Sequence, residues 1–301
     1  MSPPRDDTIH VRDLRPAKQR RAIRRRRRAA LALVGLVAFV VGLAAGAGSD
    51  GPADPGGSST GARPHPETPR ATRAAADRRA VDGVLAYTSY ISAGSPRKRE
   101  VALTFDDGPG PYTPQILRIL RQHRAAATFF VVGEGLNAFA PALREEVRDG
   151  FPVEDHTERH LMLGRLSAAQ QRREIEDQMI RVQSEGAPRP LFFRPPYGSF
   201  DRRTLAILRQ QRLLMVLWSS DTEDWRQPGV EAIVDAAGSA RAGSIVLMHD
   251  AGGDRSQTVA ALPHVIRRLR GRGLHLVTVA QLVRDDPPPR NQRPPTNLSG
   301  G

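Results

Sequence analysis

An α/β fold, with a parallel sheet covered by helices, is what this chain predicts, and three features of the sequence carry the prediction. Seven short apolar runs of strand length recur between residues 101 and 278. Amphipathic segments of helical period separate most of them. The chemically distinctive polar side chains fall just after the runs rather than within them. Successive βα units of this kind bury parallel strands beneath outer helices. At roughly 185 residues, the region fits an open doubly wound sheet or a compact, incomplete βα barrel, and spacing alone does not separate the two.

The strand-like runs are Val101–Phe105, Thr128–Val132, Pro152–Glu154, Leu191–Phe193, Leu213–Trp218, Ser244–Met248 and Leu274–Thr278. Between the first two, Pro114–Arg124 sets Ile116, Leu117 and Leu120 on one helical face. Ser167, with Gln170 three residues later, has the form of a capping box opening a helix that runs to about Glu185. Val259–Arg270 follows a similar pattern, and Gly271 stands where such a helix would stop. No internal repeat is visible.

The flanks differ from this core. The chain has 301 residues and a net charge of +13, but residues 1–28 alone hold eleven Arg or Lys against three Asp. The excess positive charge therefore belongs to the N-terminus and does not point to nucleic acid as a partner. A run of 20 uncharged residues, Ala29 to Gly48, follows directly. At about 1.5 Å per residue it is long enough for the roughly 30 Å bilayer core. Arginines ahead of such a segment favour a cytoplasmic N-terminus at 1–28. Residues 29–48 are expected to be a membrane anchor or a signal h-region, since Ala45-Gly46-Ala47 resembles a cleavage site. Either outcome puts the rest outside the cytoplasm, as a single-pass or a secreted protein. Residues 49–80, rich in Gly, Pro, Ala, Ser and Arg, read as a flexible tether, and Pro-rich 285–301 as a disordered tail. Cysteine is absent, which removes disulfides and thiolate metal sites from consideration.

Function is legible at the strand ends. Asp106 and Asp107 follow the first run, His156 and His160 the third, Arg194 the fourth, Asp221 and Asp224 the fifth, and His249 the sixth. Either candidate fold gathers such residues at one mouth or edge. His156 and His160, four apart, would share a face if helical. With one carboxylate from Asp106 or Asp107 they make a two-His, one-carboxylate metal site that leaves positions open for water and substrate. Adjacent carboxylates repel unless a cation is present. One on the metal and the other free as a base resolves the conflict, with Arg194 as a bidentate partner for the free one. His249, placed across the mouth, suits a general acid.

These residues resemble a known family. Thr104-Phe105-Asp106-Asp107-Gly108-Pro109, His156-Thr157-Glu158-Arg159-His160, Arg194-Pro195-Pro196-Tyr197-Gly198, Asp221-Thr222-Glu223-Asp224-Trp225 and Leu247-Met248-His249 occur in order. Together they are similar to the five motifs of the polysaccharide deacetylases, carbohydrate esterase family 4, with its NodB-homology domain. The resemblance spans about residues 96–284 and makes 81–284 the catalytic domain. It implies a distorted, incomplete (β/α)7 barrel and a metal-dependent hydrolase that removes N-acetyl groups from a polysaccharide; separately, the protein is expected to be a monomer. It further implies Asp107, His156 and His160 as ligands of a divalent metal, foremost Zn2+, with Co2+, Mn2+ or Ni2+ as alternatives. Asp106 would be the base held by Arg194, and His249 the acid oriented by Asp224 rather than Asp221. The Tyr197 N–H would stabilise an oxyanion, and Trp225 and Leu247 would line the acetyl pocket. Leu161, where the family often has Pro, and Asp155, where Asn is common, depart from the pattern beside the ligands. With an export segment, the expected substrate is peptidoglycan GlcNAc or MurNAc or a chitin-like glycan. An O-acetyl esterase acting on xylan or another acetylated wall polysaccharide is the alternative. A catalytically dead scaffold would have lost a ligand, base or acid, and none is missing.

Overall fold

The computed structural model describes residues 69–290 and 292. Along them run α1 (Pro69–Leu85), β1 (Tyr90–Ile91), β2 (Glu100–Asp106), α2 (Thr113–Gln122), β3 (Thr128–Val131), α3 (Leu136–Arg148), β4 (Val153–Asp155), α4 (Ala168–Ser184) and β5 (Phe192–Phe193). After these come α5 (Arg202–Gln211), β6 (Leu214–Val216), β7 (Ser220–Asp221), α6 (Val230–Gly238), β8 (Ile245–His249), α7 (Ser256–Gly271), β9 (His275–Val277) and α8 (Val279–Asp285). The sheet order is β1-β6-β5-β4-β3-β2-β8-β7, with β9 added against β2. Every pairing between these strands is parallel. The end strands β1 and β7 do not pair with each other, so the barrel stays incomplete, as the resemblance implied.

Alternation along the strands sorts side chains between two apolar clusters. On β2, Val101, Leu103 and Phe105 pack into the layer beneath the helices, whereas Ala102 joins the interior cluster. Thr104 and Asp106 share the face of Ala102. On β8, Val246 and Met248 face the helices and Ile245 and Leu247 the interior, which carries His249 inward as well. Both strands bury every residue, as expected where both faces of a parallel sheet are covered. The seven expected strands all form, with ends shifted by a residue or two. The capping box at Ser167 is present in full: its hydroxyl accepts from Gln170 N at 3.3 Å, and Gln170 Oε1 accepts from Ser167 N at 2.9 Å.

Two boundaries are corrected. The expected tether over 49–80 overlaps α1 from Pro69 onward. Its Ala- and Arg-rich sequence is composed of strong helix formers, so it needs little apolar periodicity to be helical. Asp77 pairs with Arg284 of α8, and Arg78 Nη1 donates to the Arg212 carbonyl at 3.0 Å. The expected disordered tail over 285–301 begins ordered. Asp286 is 1% exposed and accepts from Arg97 Nε at 2.8 Å and Lys98 N at 2.9 Å. The Tyr87 hydroxyl donates to the Pro288 carbonyl at 2.7 Å. The basic segment 1–28, the apolar run 29–48 and the tether up to residue 68 lie outside the described residues. Among the described residues, no helix is long and apolar enough to cross a membrane.

Candidate active site

The ligand cluster is built by a loop, not by a helix. His156 to His160 follow β4 as irregular chain, in which Thr157 (φ 68°) and His160 (φ 56°) take left-handed backbone angles. This corrects the expectation of a shared helical face. Non-glycine residues pay for such angles, and structures tolerate them where function requires it. Here the turn is pinned locally. Asp155 Oδ1 accepts from Thr157 N at 2.8 Å, and Thr157 Oγ1 accepts from His160 N at 3.0 Å. Asp155 is fully buried, and burial pushes its carboxyl well above the usual range. The acid at this position thus shapes the loop without contributing a ligand.

The winding brings both imidazoles to one carboxylate. His160 Nε2 lies 3.0 Å and His156 Nε2 3.4 Å from Asp107 Oδ1. One ligand atom from each of the three residues fits within 4.8 Å of the others. The donor chemistry suits a divalent cation. Asp107 Oδ1 is buried without a hydrogen-bond donor of ordinary geometry. His156 Nδ1 lies 2.7 Å from the Arg194 carbonyl, which only accepts, so Nδ1–H donates there and Nε2 is the ring atom turned to the cluster. His160 Nδ1 is tied to the Tyr197 hydroxyl at 3.1 Å. Burial pushes Asp107 upward, but the two imidazoles set against it, His160 foremost, outweigh it. They hold the carboxyl well below its usual range.

Asp106 stands beside this cluster, 2% exposed, with Oδ2 3.8 Å from His156 Nε2. Its Oδ1 accepts from Arg194 Nη1 at 2.6 Å. The contact is single rather than bidentate, because the guanidinium is already spread over other acceptors. Nη1 also donates to Thr104 Oγ1 at 2.8 Å, Nε to the Val216 carbonyl at 3.1 Å, and Nη2 to the Leu217 carbonyl at 3.4 Å. The group lies 4.0 Å over the Phe130 ring. Burial lowers the pKa of Arg194, with Asp106 opposing.

His249 is in register with Asp106 on the neighbouring strand, so the two sit side by side rather than across the mouth. Its Nδ1–H donates to Asp224 Oδ1 at 2.7 Å, and its backbone N–H donates to Asp224 Oδ2 at 2.8 Å. Burial drives the imidazole pKa down, but the Asp224 charge and hydrogen bond overcome it and raise the value from 6.5 to about 9. Asp221 is engaged by Glu223 N at 2.9 Å, and the contact to His249 belongs to Asp224.

Tyr197 also has a left-handed backbone, φ 58°, and its N–H makes no hydrogen bond among the described residues. Trp225 is half-buried, with Arg226 4.7 Å over its ring. Leu247, 1% exposed, packs in the interior cluster. Two supporting residues escaped the sequence. Thr104 could have been found, because it lies two residues before Asp106 and therefore on the same strand face. Thr258, whose hydroxyl donates to Asp224 Oδ2 at 2.7 Å, left no signal in the first turn of an ordinary helix.

An incomplete parallel barrel with an Asp-His-His cluster at its mouth, flanked by a buried Asp–Arg pair and a buried His–Asp pair, defines a metal-centre hydrolase. The family model for polysaccharide deacetylase matches residues 93–216. A peptidoglycan-N-acetylglucosamine deacetylase of Bacillus cereus is 38% identical over 205 residues, covering 66% of this chain and 96% of that protein. A chitooligosaccharide deacetylase of a Bradyrhizobium species is 39% identical over 202 residues, covering 61% of this chain and 90% of that one. A crystal structure of a peptidoglycan N-acetylglucosamine deacetylase in complex with an N-oxidanyl-benzamide superposes with a TM-score of 0.63. It is 33% identical, over 64% of this chain and 92% of that one. The chain belongs to the polysaccharide deacetylase family, carbohydrate esterase family 4.

Proposed function

We propose that this protein hydrolyses the acetamide of N-acetylated sugars in a peptidoglycan or chitin-like polysaccharide, releasing acetate and a free amine. The observation that carries the reading is the convergence of an Arg-held carboxylate and an Asp-held imidazolium on one Asp-His-His cluster. Asp107, His156 and His160 would hold the cation, with zinc foremost and Co2+, Mn2+ or Ni2+ as alternatives. When bound, such a cation supplies Lewis acidity that lowers the pKa of a water and polarises the acetyl carbonyl.

The protein's own groups do the rest. Arg194 occupies Asp106 Oδ1 and leaves Oδ2 turned to the cluster, where it takes a proton from the attacking water. As the water oxygen bonds to the carbonyl carbon, the free Tyr197 N–H receives the developing oxyanion. His249, kept protonated by Asp224, gives its proton to the departing sugar nitrogen as the C–N bond breaks. Trp225 and Leu247 enclose the acetyl methyl. The enzyme works outside the cytoplasm as a monomer, tethered through residues 29–48 or released from them. Related cell-wall deacetylases support that placement.

Acetate release by the full chain from a panel of N- and O-acetylated glycans, with and without chelator, tests the reading. Asp106→Asn should lose at least about 100-fold in turnover, as expected when a general base is removed. Undiminished turnover in that variant removes Asp106 from the mechanism. Faster release from O-acetylated xylan than from any N-acetylated glycan makes the protein an esterase instead.

A further inference from the structure

Every backbone N–H of the ligand loop, from His156 to His160, has an acceptor. His156 N donates to the Val131 carbonyl at 3.1 Å, and Glu158 N to the Glu174 carbonyl at 2.8 Å. Thr157 N and His160 N use side chains of their own segment, Asp155 Oδ1 and Thr157 Oγ1. Arg159 N is the member of the set that depends on a side chain from another element. It donates to Glu174 Oε2, on α4, at 2.9 Å.

Glu174 is 1% exposed. Its other oxygen, Oε1, accepts from Arg159 Nε at 2.6 Å and also contacts Nη2. One carboxylate therefore takes both the backbone and the side chain of the residue directly before His160. Further contacts secure the same loop. Gly133 N and Glu134 N donate to the Thr157 and Glu158 carbonyls at 3.0 and 2.7 Å. Gly133 leaves room for the Glu158 side chain, since a Cβ there would stand 2.0 Å from Oε2. Arg181, further along α4, donates from Nε to that oxygen at 3.1 Å.

The loop needs holding. Thr157 and His160 keep left-handed angles that cost non-glycine residues about 1–3 kcal/mol each, and such angles persist only where the surroundings over-determine them. Burying a carboxylate on α4 is itself costly where an apolar side chain could pack instead. Placed on the N–H beside His160, that carboxylate restrains the loop at the residue that must stay strained. Resting on the reading of Asp107, His156 and His160 as cation ligands, we propose that Glu174 is a positioning residue for the site. By holding Arg159 N it keeps His160 Nε2 directed at Asp107 Oδ1, 3.0 Å away. It acts through the loop, not on the reacting atoms.

The test titrates zinc calorimetrically into the chelated full chain and its variants, with urea midpoints of the same metal-free samples. In Glu174→Gln one of the two acceptors becomes an amide N–H2 facing a donor. Zinc should bind at least about tenfold more weakly, as for loss of a group supporting a metal ligand, and excess zinc should restore most acetate release. Arg159→Met retains the backbone N–H on Oε2 and should lose much less affinity than Glu174→Gln. Glu174→Asp keeps the charge but is one methylene too short to span both donors. Loaded with Co2+ to saturation, it should show a visible spectrum different from the native one, and this measurement stands even if Glu174→Gln folds poorly. Native zinc affinity in Glu174→Gln alongside a lower urea midpoint makes Glu174 a stabiliser of the fold only and overturns the proposal. Equal losses of affinity in Arg159→Met and Glu174→Gln assign the effect to the ion pair rather than to the backbone grip and also overturn it, as does an unchanged cobalt spectrum in Glu174→Asp. Failure of the native chain to bind zinc would instead sink the cation site itself.

Discussion

Replacing Asp224 with Asn removes one negative charge from the His249 pair while keeping its shape. In the native site the imidazole pKa stands at about 9 instead of 6.5. That preference for the protonated form is worth about 3 kcal/mol. Without the carboxylate, burial acts with little opposition, because a bound cation and Arg194 counter the charges of Asp107 and Asp106. The pKa should then fall below its ordinary value, leaving under about a tenth of the molecules with the acid proton at pH 7.5. The assay is acetate release against pH for both proteins. A general acid must be protonated, so activity falls as pH rises through its pKa. In the native enzyme, where the cation also repels the imidazolium, that limb lies at or somewhat below about 9. In Asp224→Asn it should move below about 6.5. Stability gives an independent reading. A pKa raised on folding contributes stability that is complete below about pH 6.5 and is lost as pH rises through about 9. The difference in urea midpoint between the chelated native protein and the variant should therefore be largest near pH 6 and shrink above pH 9. An alkaline limb left in place by the substitution would refute the assignment of Asp224 and His249.

Arg194→Met should destabilise the fold by about 3–5 kcal/mol, because it strands the buried Asp106 carboxylate and the backbone carbonyls of Val216 and Leu217. Arg194→Lys should recover little of this, since one ammonium cannot reach acceptors spread over a planar fork; urea titration measures both. A chain truncated to begin at residue 81 should melt several degrees below one beginning at residue 65. The cut removes most of α1 together with the Asp77–Arg284 pair and the Arg78 contact, and calorimetry of the two fragments checks it.

How much of this was legible in the sequence depended on how locally each feature is encoded. The site residues stood out because Asp106, His156, Arg194 and His249 are polar groups ending apolar runs, and strand ends in parallel α/β folds meet at one mouth. The capping box at Ser167 was readable because both partners lie within four residues. Other features depend on geometry that a linear pattern does not carry. The four-residue spacing of His156 and His160 suggests a helix, but the left-handed angles of Thr157 and His160 produce the same proximity in a loop. Strands β1 and β7 have two residues each, too short for any alternation to show. Helix α1 presents little apolar stripe, and Asp286 becomes buried only through Arg97 and Lys98, nearly 190 positions away. Arg194 was expected to grip Asp106 with two bonds, and its competing acceptors on β6 could not be foreseen without the fold.

The central claim is that Asp107, His156 and His160 hold one catalytic cation. Isothermal titration of zinc into the chelated full chain, followed by acetate release from the same samples, tests it most directly. The account predicts one ion per chain with activity restored in parallel, and loss of both in Asp107→Ala and in His156→Ala. Zinc bound with native affinity by either variant, or full turnover in a chain stripped of metal, would contradict it.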